Sequence, residues 1–213
     1  VSVPDSFNPL GYAALSDSLS RALMRSPLLS MGRAAEEPFH GYGVYALFYD
    51  GDFPAYRRLA DWNRTHPGSW PIYIGVAAPK TLKGLAYDPE DVDSDRVERK
   101  LYERVRHHAR SIGRASNLDL SDFSCRLLVL SSVWAPVAES AMIAAYEPLW
   151  NAYVPGFGNH AQGSGRSAGL QTVWDTLHPG RRMVGRPNPK TVSEIEAEVR
   201  QALEETWQRR FRE

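Results

Sequence analysis

Arg104 and His108 stand four residues apart, so on a helix their side chains share one face. A guanidinium fork clamps phosphate oxygens and an imidazole moves protons near neutral pH, so the pair suits phosphate chemistry. A solvated surface pair is the plainer alternative. Glu139 is the second candidate, within the small, apolar run Pro136-Val-Ala-Glu-Ser-Ala-Met-Ile-Ala-Ala-Tyr146. A carboxylate in the first turn of a helix buried all round needs a partner. It either answers the helix dipole or faces a site and holds a divalent cation. Tyr45 and Tyr73 are either ordinary sheet aromatics or two phenols opening onto one site. A phenol titrates near about 10, so it serves as a base at neutral pH only where cations or hydrogen bonds favour the phenolate.

Hydrophobic periodicity supplies the elements that must hold these residues. Residues 43–49 (Gly-Val-Tyr-Ala-Leu-Phe-Tyr) and 71–76 (Pro-Ile-Tyr-Ile-Gly-Val) read as strands with the tyrosines central, and pairing them as a hairpin puts both phenols on one face. Their connection, Asp50 to Trp70, is too long for a tight turn and is expected to hold a short helix around Ala55 to Asn63. Val97, Leu101, Val105, Ala109 and Ile112 predict an amphipathic helix from Arg96 to Ile112. Cys125 to Leu130, mostly apolar, is expected as a third, central strand. Pro136 at a first helical position opens a helix through Tyr146, and Pro148 closes it. A glycine-rich loop, 155–169, leads towards a last helix with a Ser193/Glu196 capping box and an apolar face of Ile195, Val199, Leu203, Trp207 and Phe211. A helix over 17–24, with Leu19 and Leu23 on one side, precedes everything else. The order β-β-α-β-α with additions at both ends is an α+β (α/β layered) domain. It divides as an N-terminal helical extension (1–40), a core (41–155) with an insertion at 50–70, and a tail (156–213) of glycine loop, basic linker and helix.

The chain has 213 residues, 43% of them hydrophobic, with 25 Lys+Arg against 25 Asp+Glu. That length suits one domain whose core needs no disulfide or metal staple. There is no apolar run approaching ~18 residues, which excludes a membrane-spanning helix. No signal-peptide pattern is visible, and the start without an initiator methionine is expected to reflect trimming or an edited start. One cysteine, Cys125, excludes a disulfide framework or multi-cysteine zinc site and fits a reducing cytoplasm. A net charge of zero would argue against nucleic acid, but the sum hides a distribution. Five acids (Asp88, Glu90, Asp91, Asp93, Asp95) precede seven bases (Arg96, Arg99, Lys100, Arg104, Arg106, Arg110, Arg114), and Arg181, Arg182, Arg186 and Lys190 form a second basic cluster. A solvated helix face is the simpler reading of each basic run.

Together these features match a known pattern. Gly43-Val44-Tyr45 and Tyr73-Ile74-Gly75 resemble the two signature tripeptides of the GIY-YIG nucleases, with Val for Ile in the first. Arg104 and His108 match that family's helix after the hairpin, Glu139 its metal-binding carboxylate, and Pro148-Leu-Trp-Asn151 its Asn after a Pro. The segments 116–126 and 156–160 further resemble GIY-YIG type II restriction endonucleases that cut the palindrome CCGCGG, so the likeness spans roughly Gly41 to Gly180. The interval between the signature tyrosines is longer than in compact members, consistent with the restriction subset.

The resemblance implies phosphodiester hydrolysis with one divalent cation, usually Mg²⁺ with Mn²⁺ as a substitute, held by Glu139 alone. It implies Arg104 neutralising developing charge, Tyr73 orienting the nucleophile or phosphate, and Asn151 fixing the site. Tyr45 would be the general base, with His108 lowering its pKa or relaying its proton; sequence does not separate the two. A palindromic double-stranded DNA target implies a homodimer with one site per strand, in a bacterial cytoplasm and away from any membrane. Arg57, Arg58, Arg64, Arg106, Arg110, His160 and Arg166 are the candidate DNA contacts. The rival expectations are a GIY-YIG repair or homing nuclease and a catalytically inert nucleic-acid-binding module of the same fold.

Overall fold

The computed structural model describes residues 12–78, 99–130, 134–158, 169–181 and 185–211. Helix α1 (Tyr12–Arg25), a two-residue strand β1 (Leu29–Ser30) and helix α2 (Met31–Glu36) lead into the hairpin strands β2 (Gly43–Tyr49) and β3 (Tyr73–Ala77). Between those strands lie a 3-10 turn (Pro54–Tyr56) and helix α3 (Arg57–Thr65). Helix α4 (Lys100–Ile112), strand β4 (Phe123–Val129) and helices α5 (Ala135–Tyr146), α6 (Leu149–Ala152), α7 (Val173–Leu177) and α8 (Val192–Arg210) complete the order. The β-β-α-β-α core is present, in an α+β fold whose four-stranded antiparallel sheet is flanked by helices. The acidic run, Arg96 and Val97, His160, Arg166 and Arg182 lie outside the described residues.

The sheet order is β1-β4-β2-β3. Both β4, as expected, and β2 are interior, and β2 is buried at every position because helices cover both faces. Tyr45, Leu47 and Tyr49 point into the core shared with α3, α4 and α8, while Val44, Ala46 and Phe48 point to the other side, against α1 and α5. Strand β4 is interior only because Leu29 and Ser30 pair with Cys125 and Ser124 on its outer side. Gly43 opens β2 at φ 157°, and a Cβ there would run into the Leu128 carbonyl of β4.

Four expectations shift. Strand β3 starts at Tyr73, so Tyr73 stands at a strand end. The capping box of α8 is Thr191/Glu194: the Glu194 carboxylate takes the Thr191 N–H at 2.7 Å, and Thr191 Oγ1 accepts the Glu194 N–H at 3.3 Å. Ser193 already lies within the helix, and Glu196 pairs one turn on with Arg200. Helix α5 begins at Ala135 with Pro136 second, which moves Glu139 past the first turn and away from the helix-dipole account. Finally, α5 is not buried all round: Ala135, Ala138, Ala141 and Met142 are covered, whereas Pro136, Ser140, Ala144 and Ala145 face outward.

Beneath the insertion runs a buried polar chain. Trp150 Nε1 donates to the Tyr56 hydroxyl at 2.9 Å, and that hydroxyl meets His178 Nε2 at 2.5 Å. His178 Nδ1 reaches Asn117 Oδ1 at 2.9 Å, and Asn117 Nδ2 donates to the Leu177 carbonyl. Because Asn117 Oδ1 can only accept, the proton sits on Nδ1 and Nε2 receives the Tyr56 O–H: a neutral imidazole with both nitrogens satisfied. Burial, helped by the Arg181 charge, holds His178 down to about 3. Above its unfolded value both states are neutral, and as pH falls below it only the unfolded chain gains the proton. Stability is therefore full above about pH 6.5 and should fall by roughly 3 kcal/mol by about pH 4 from this group. Urea unfolding of wild type and His178→Gln at the two pH values checks this; the drop should shrink in the variant, and an equal drop in both would contradict it.

Candidate active site

The site forms where β2 and β3 meet α4. In the hairpin register Tyr45 lies opposite Gly75, and Leu47 opposite Tyr73. The Tyr45 ring crosses Gly75 so closely that a Cβ there would lie 2.6 Å from Tyr45 Cζ and 2.9 Å from Tyr73 Cε1. Glycine is thus the residue that lets both phenols share one face, their ring centres 6.1 Å apart. Gly75→Ala should leave a folded protein and reduce cleavage about a hundredfold, since ångström-scale displacement of reacting groups has that order of cost. Single-turnover cleavage, with circular dichroism as the fold control, measures it, and a wild-type rate would contradict it.

Helix α4 turns its buried face, Leu101, Val105, His108, Ala109 and Ile112, onto the sheet. His108 is fully buried, and its Nε2 lies 2.5 Å from the Tyr45 hydroxyl. One turn earlier, Arg104 reaches the same phenols and donates through Nη2 to the Gly158 carbonyl at 3.1 Å. Burial pushes the Tyr45 phenol well above its usual range, the Tyr73 phenol adds to the rise, and the Arg104 cation opposes it. The Tyr73 phenol is raised in the same way by burial, with Arg104 again opposing.

The remaining members sit along the free edge of β3. An edge strand exposes unpaired backbone groups that the fold must answer. Here the Ile72 carbonyl accepts from the Trp150 N–H at 2.9 Å. Two residues on, the Asn151 amide clamps Ile74, its Oδ1 accepting the N–H and its Nδ2 donating to the C=O, both at 2.8 Å. Two residues further, the Val76 N–H donates to Glu139. Asn151 and Glu139 are therefore set side by side by the backbone period of one strand. Burial raises the Glu139 carboxyl above the usual carboxylate range, while Arg104 and the Val76 N–H pull it back.

Tyr45, Tyr73, Arg104, His108, Glu139 and Asn151 thus converge. Among the described residues no three His, Cys, Asp or Glu side chains gather to hold a metal. A lone, half-buried carboxylate fits a hard divalent ion that keeps waters and takes phosphate oxygens, and does not fit a metal that needs nitrogen or sulfur ligands.

The candidate DNA contacts do not share one setting. Arg106 and Arg110 line the exposed face of α4, and Arg57 is exposed on α3. Arg58 pairs with Glu204 at 2.8 Å and lies over the Trp207 ring. Arg64 binds Asp52, Asp61 and the carbonyls of Asp50 and Gly51. A cavity of about 600 Å³ opens between Arg57, Arg58 and Asp61 of the insertion and Arg200, Leu203 and Glu204 of α8, apart from the tyrosines. Sequence reasoning missed the contacts of Phe157 and Gly158 with the site and the Arg181–Asp175 pair behind them; Phe157, an aromatic between two glycines, was the available signal.

Among the described residues no helix is long and apolar enough to cross a membrane. A search of the curated proteins found no match. A family model, that of the Eco29kI GIY-YIG domain, matches residues 37–206. GIY-YIG nucleases act on DNA and generally use divalent metal ions, in keeping with a guanidinium and a lone carboxylate beside two phenols. With that match spanning most of its length, the chain belongs to the Eco29kI GIY-YIG domain family, a restriction-enzyme family of GIY-YIG nucleases.

Proposed function

We propose that the protein is a type II restriction endonuclease that hydrolyses both strands of DNA at a GC-rich palindrome such as CCGCGG, acting as a homodimer in a bacterial cytoplasm. The observation that carries this reading is the convergence of Tyr45, Tyr73, Arg104, His108 and Glu139 around Gly75.

A single Mg²⁺, replaceable by Mn²⁺, on Glu139 would supply a Lewis acid for the scissile phosphate and the departing 3′ oxygen. Arg104 places its charge against the phosphate and stabilises the pentacoordinate state. Tyr73, beside Arg104, donates its O–H to a phosphate oxygen or orients the water. Tyr45 is fully buried and its pKa is raised, so a resting phenolate is disfavoured. Its hydrogen bond to His108 supports a relay instead: Tyr45 takes the proton of the attacking water as its own passes to His108 Nε2. Asn151 holds β3, and with it Tyr73 and Gly75, in register. Arg57, Arg58, Arg64, Arg106, Arg110, His160 and Arg166 remain the proposed DNA contacts, with the exposed Arg106 and Arg110 flanking the catalytic helix face.

Sequencing the ends of digested genomic DNA tests specificity. One recurrent palindrome at every end is the expected result. Scattered ends would instead mark a repair-type nuclease, and DNA binding without any new ends an inert module.

A further inference from the structure

Gly156, Phe157 and Gly158 cross the site. The Phe157 ring stacks on the His108 imidazole, 4.5 Å between centres at 21°, and meets Tyr73 edge-on at 5.0 Å. The Gly158 carbonyl is the acceptor for Arg104 Nη2, and a Cβ at Gly158 would stand 2.6 Å from the Tyr73 hydroxyl. Three of the proposed catalytic side chains therefore take their placement partly from two consecutive residues, Phe157 and Gly158.

What fixes those residues comes from further along the chain. Arg181 donates through Nη1 to the Phe157 carbonyl at 3.0 Å and through Nη2 to the Gly156 carbonyl at 3.1 Å. Its Nε and Nη2 also reach Asp175 Oδ1, at 2.8 and 2.7 Å. The guanidinium lies 4.2 Å over the Trp174 ring, and Asp175 is held in turn by the Thr172 hydroxyl at 2.6 Å. The two charged side chains are only 6% and 5% exposed. A buried pair of this kind gains little net stability over an apolar replacement, so its effect lies in the single geometry it imposes. Gly156 adds a second constraint: at φ 119°, a conformation that favours glycine, a Cβ would press into Thr172.

We propose that Arg181 is a positioning residue of the nuclease site. By fixing the carbonyls of Gly156 and Phe157 it aims the Gly158 carbonyl at Arg104 and seats Phe157 on His108. The inference rests on Arg104 and His108 acting in the reaction as described above. Lysine would keep the charge beside Asp175 but lacks the planar fork that spans a carboxylate and two carbonyls.

The test uses the full chain with Arg181→Lys and Arg181→Met, reading single-turnover cleavage, DNA affinity, melting temperature and the side-chain nitrogen resonances of Arg104. Both variants should lose about ten- to a hundredfold in cleavage rate while the DNA Kd stays within about threefold. The Nη2 signal of Arg104, set by the Gly158 bond, should shift as that bond is lost. Wild-type cleavage with unchanged Arg104 signals in either folded variant overturns the proposal. Should both variants fail to fold, Gly158→Ala pushes the segment off Tyr73 without touching the Arg181–Asp175 pair. The same rate loss and signal change are expected of it, and their absence overturns the proposal equally. Arg104→Ala separates the two layers: undiminished cleavage there refutes the role of Arg104, whereas the resonances in Arg181→Lys still report whether Arg181 positions it.

Discussion

Glu139→Ala is expected to lower DNA cleavage by at least about a thousandfold while changing the DNA Kd by less than about threefold. The asymmetry follows from the setting of Glu139. Among the described residues it is the one carboxylate facing Tyr73 and Arg104, with no second acid beside it to take over a divalent ion. It repels DNA phosphate, so its loss does not remove an attraction for the substrate. Alanine also strips the Val76 N–H of its acceptor, which should cost about 1–2 kcal/mol of stability. Glu139→Gln retains an acceptor oxygen for Val76 and separates the two effects: it should melt near wild type and still fail to cleave. Gel-based cleavage, fluorescence anisotropy for DNA binding and thermal melting measure the three quantities. Turnover near wild type in either variant would remove the metal role from Glu139.

Tyr45→Phe is the second large effect. It deletes one oxygen, yet that oxygen is fully buried and 2.5 Å from His108 Nε2. Loss of a positioned proton-transfer group costs roughly a hundred- to ten-thousandfold. The phenylalanine ring can still lie across Gly75, so the hairpin register and fold should persist, with about 1–2 kcal/mol lost from the deserted imidazole. Single-turnover rates measure the fall, with circular dichroism as the fold control. A folded variant with wild-type turnover would dismiss the relay.

The geometry of the candidate site was largely legible in the sequence because it follows the shortest periods. Two strands of known spacing put Tyr45 and Tyr73 on one face, and a four-residue step put Arg104 beside His108. Glu139 was legible as a carboxylate out of place, although its true partners, the Val76 N–H and Arg104, lie on other elements. The cap of α8 was misplaced because Thr191-x-x-Glu194 and Ser193-x-x-Glu196 both fit the same pattern. The backbone decides for Thr191, which is extended at φ −75°, ψ 161°. Helix α5 carries no polar stripe, so composition alone could not reveal that Ser140 and Ala144 face outward.

Least legible were the long-range polar contacts. Tyr56 and His178 are separated by 122 residues, and His178 and Asn117 by 61, so no local spacing announces their hydrogen bonds. Arg181 read as one more base in a basic cluster, whereas its charge is almost wholly enclosed with Asp175. Zero net charge likewise proved uninformative about the site. Arg58, Arg64 and Arg181 are matched by nearby acids within the fold, while Arg106 and Arg110 remain on the outer face of α4.

Digestion of supercoiled plasmid DNA by the wild-type protein, with Mg²⁺ and in parallel with EDTA, tests the central claim most directly. The account predicts discrete linear fragments with Mg²⁺ and intact supercoils with EDTA. Cleavage that persists undiminished in EDTA, or bound but uncut plasmid in Mg²⁺, would contradict it.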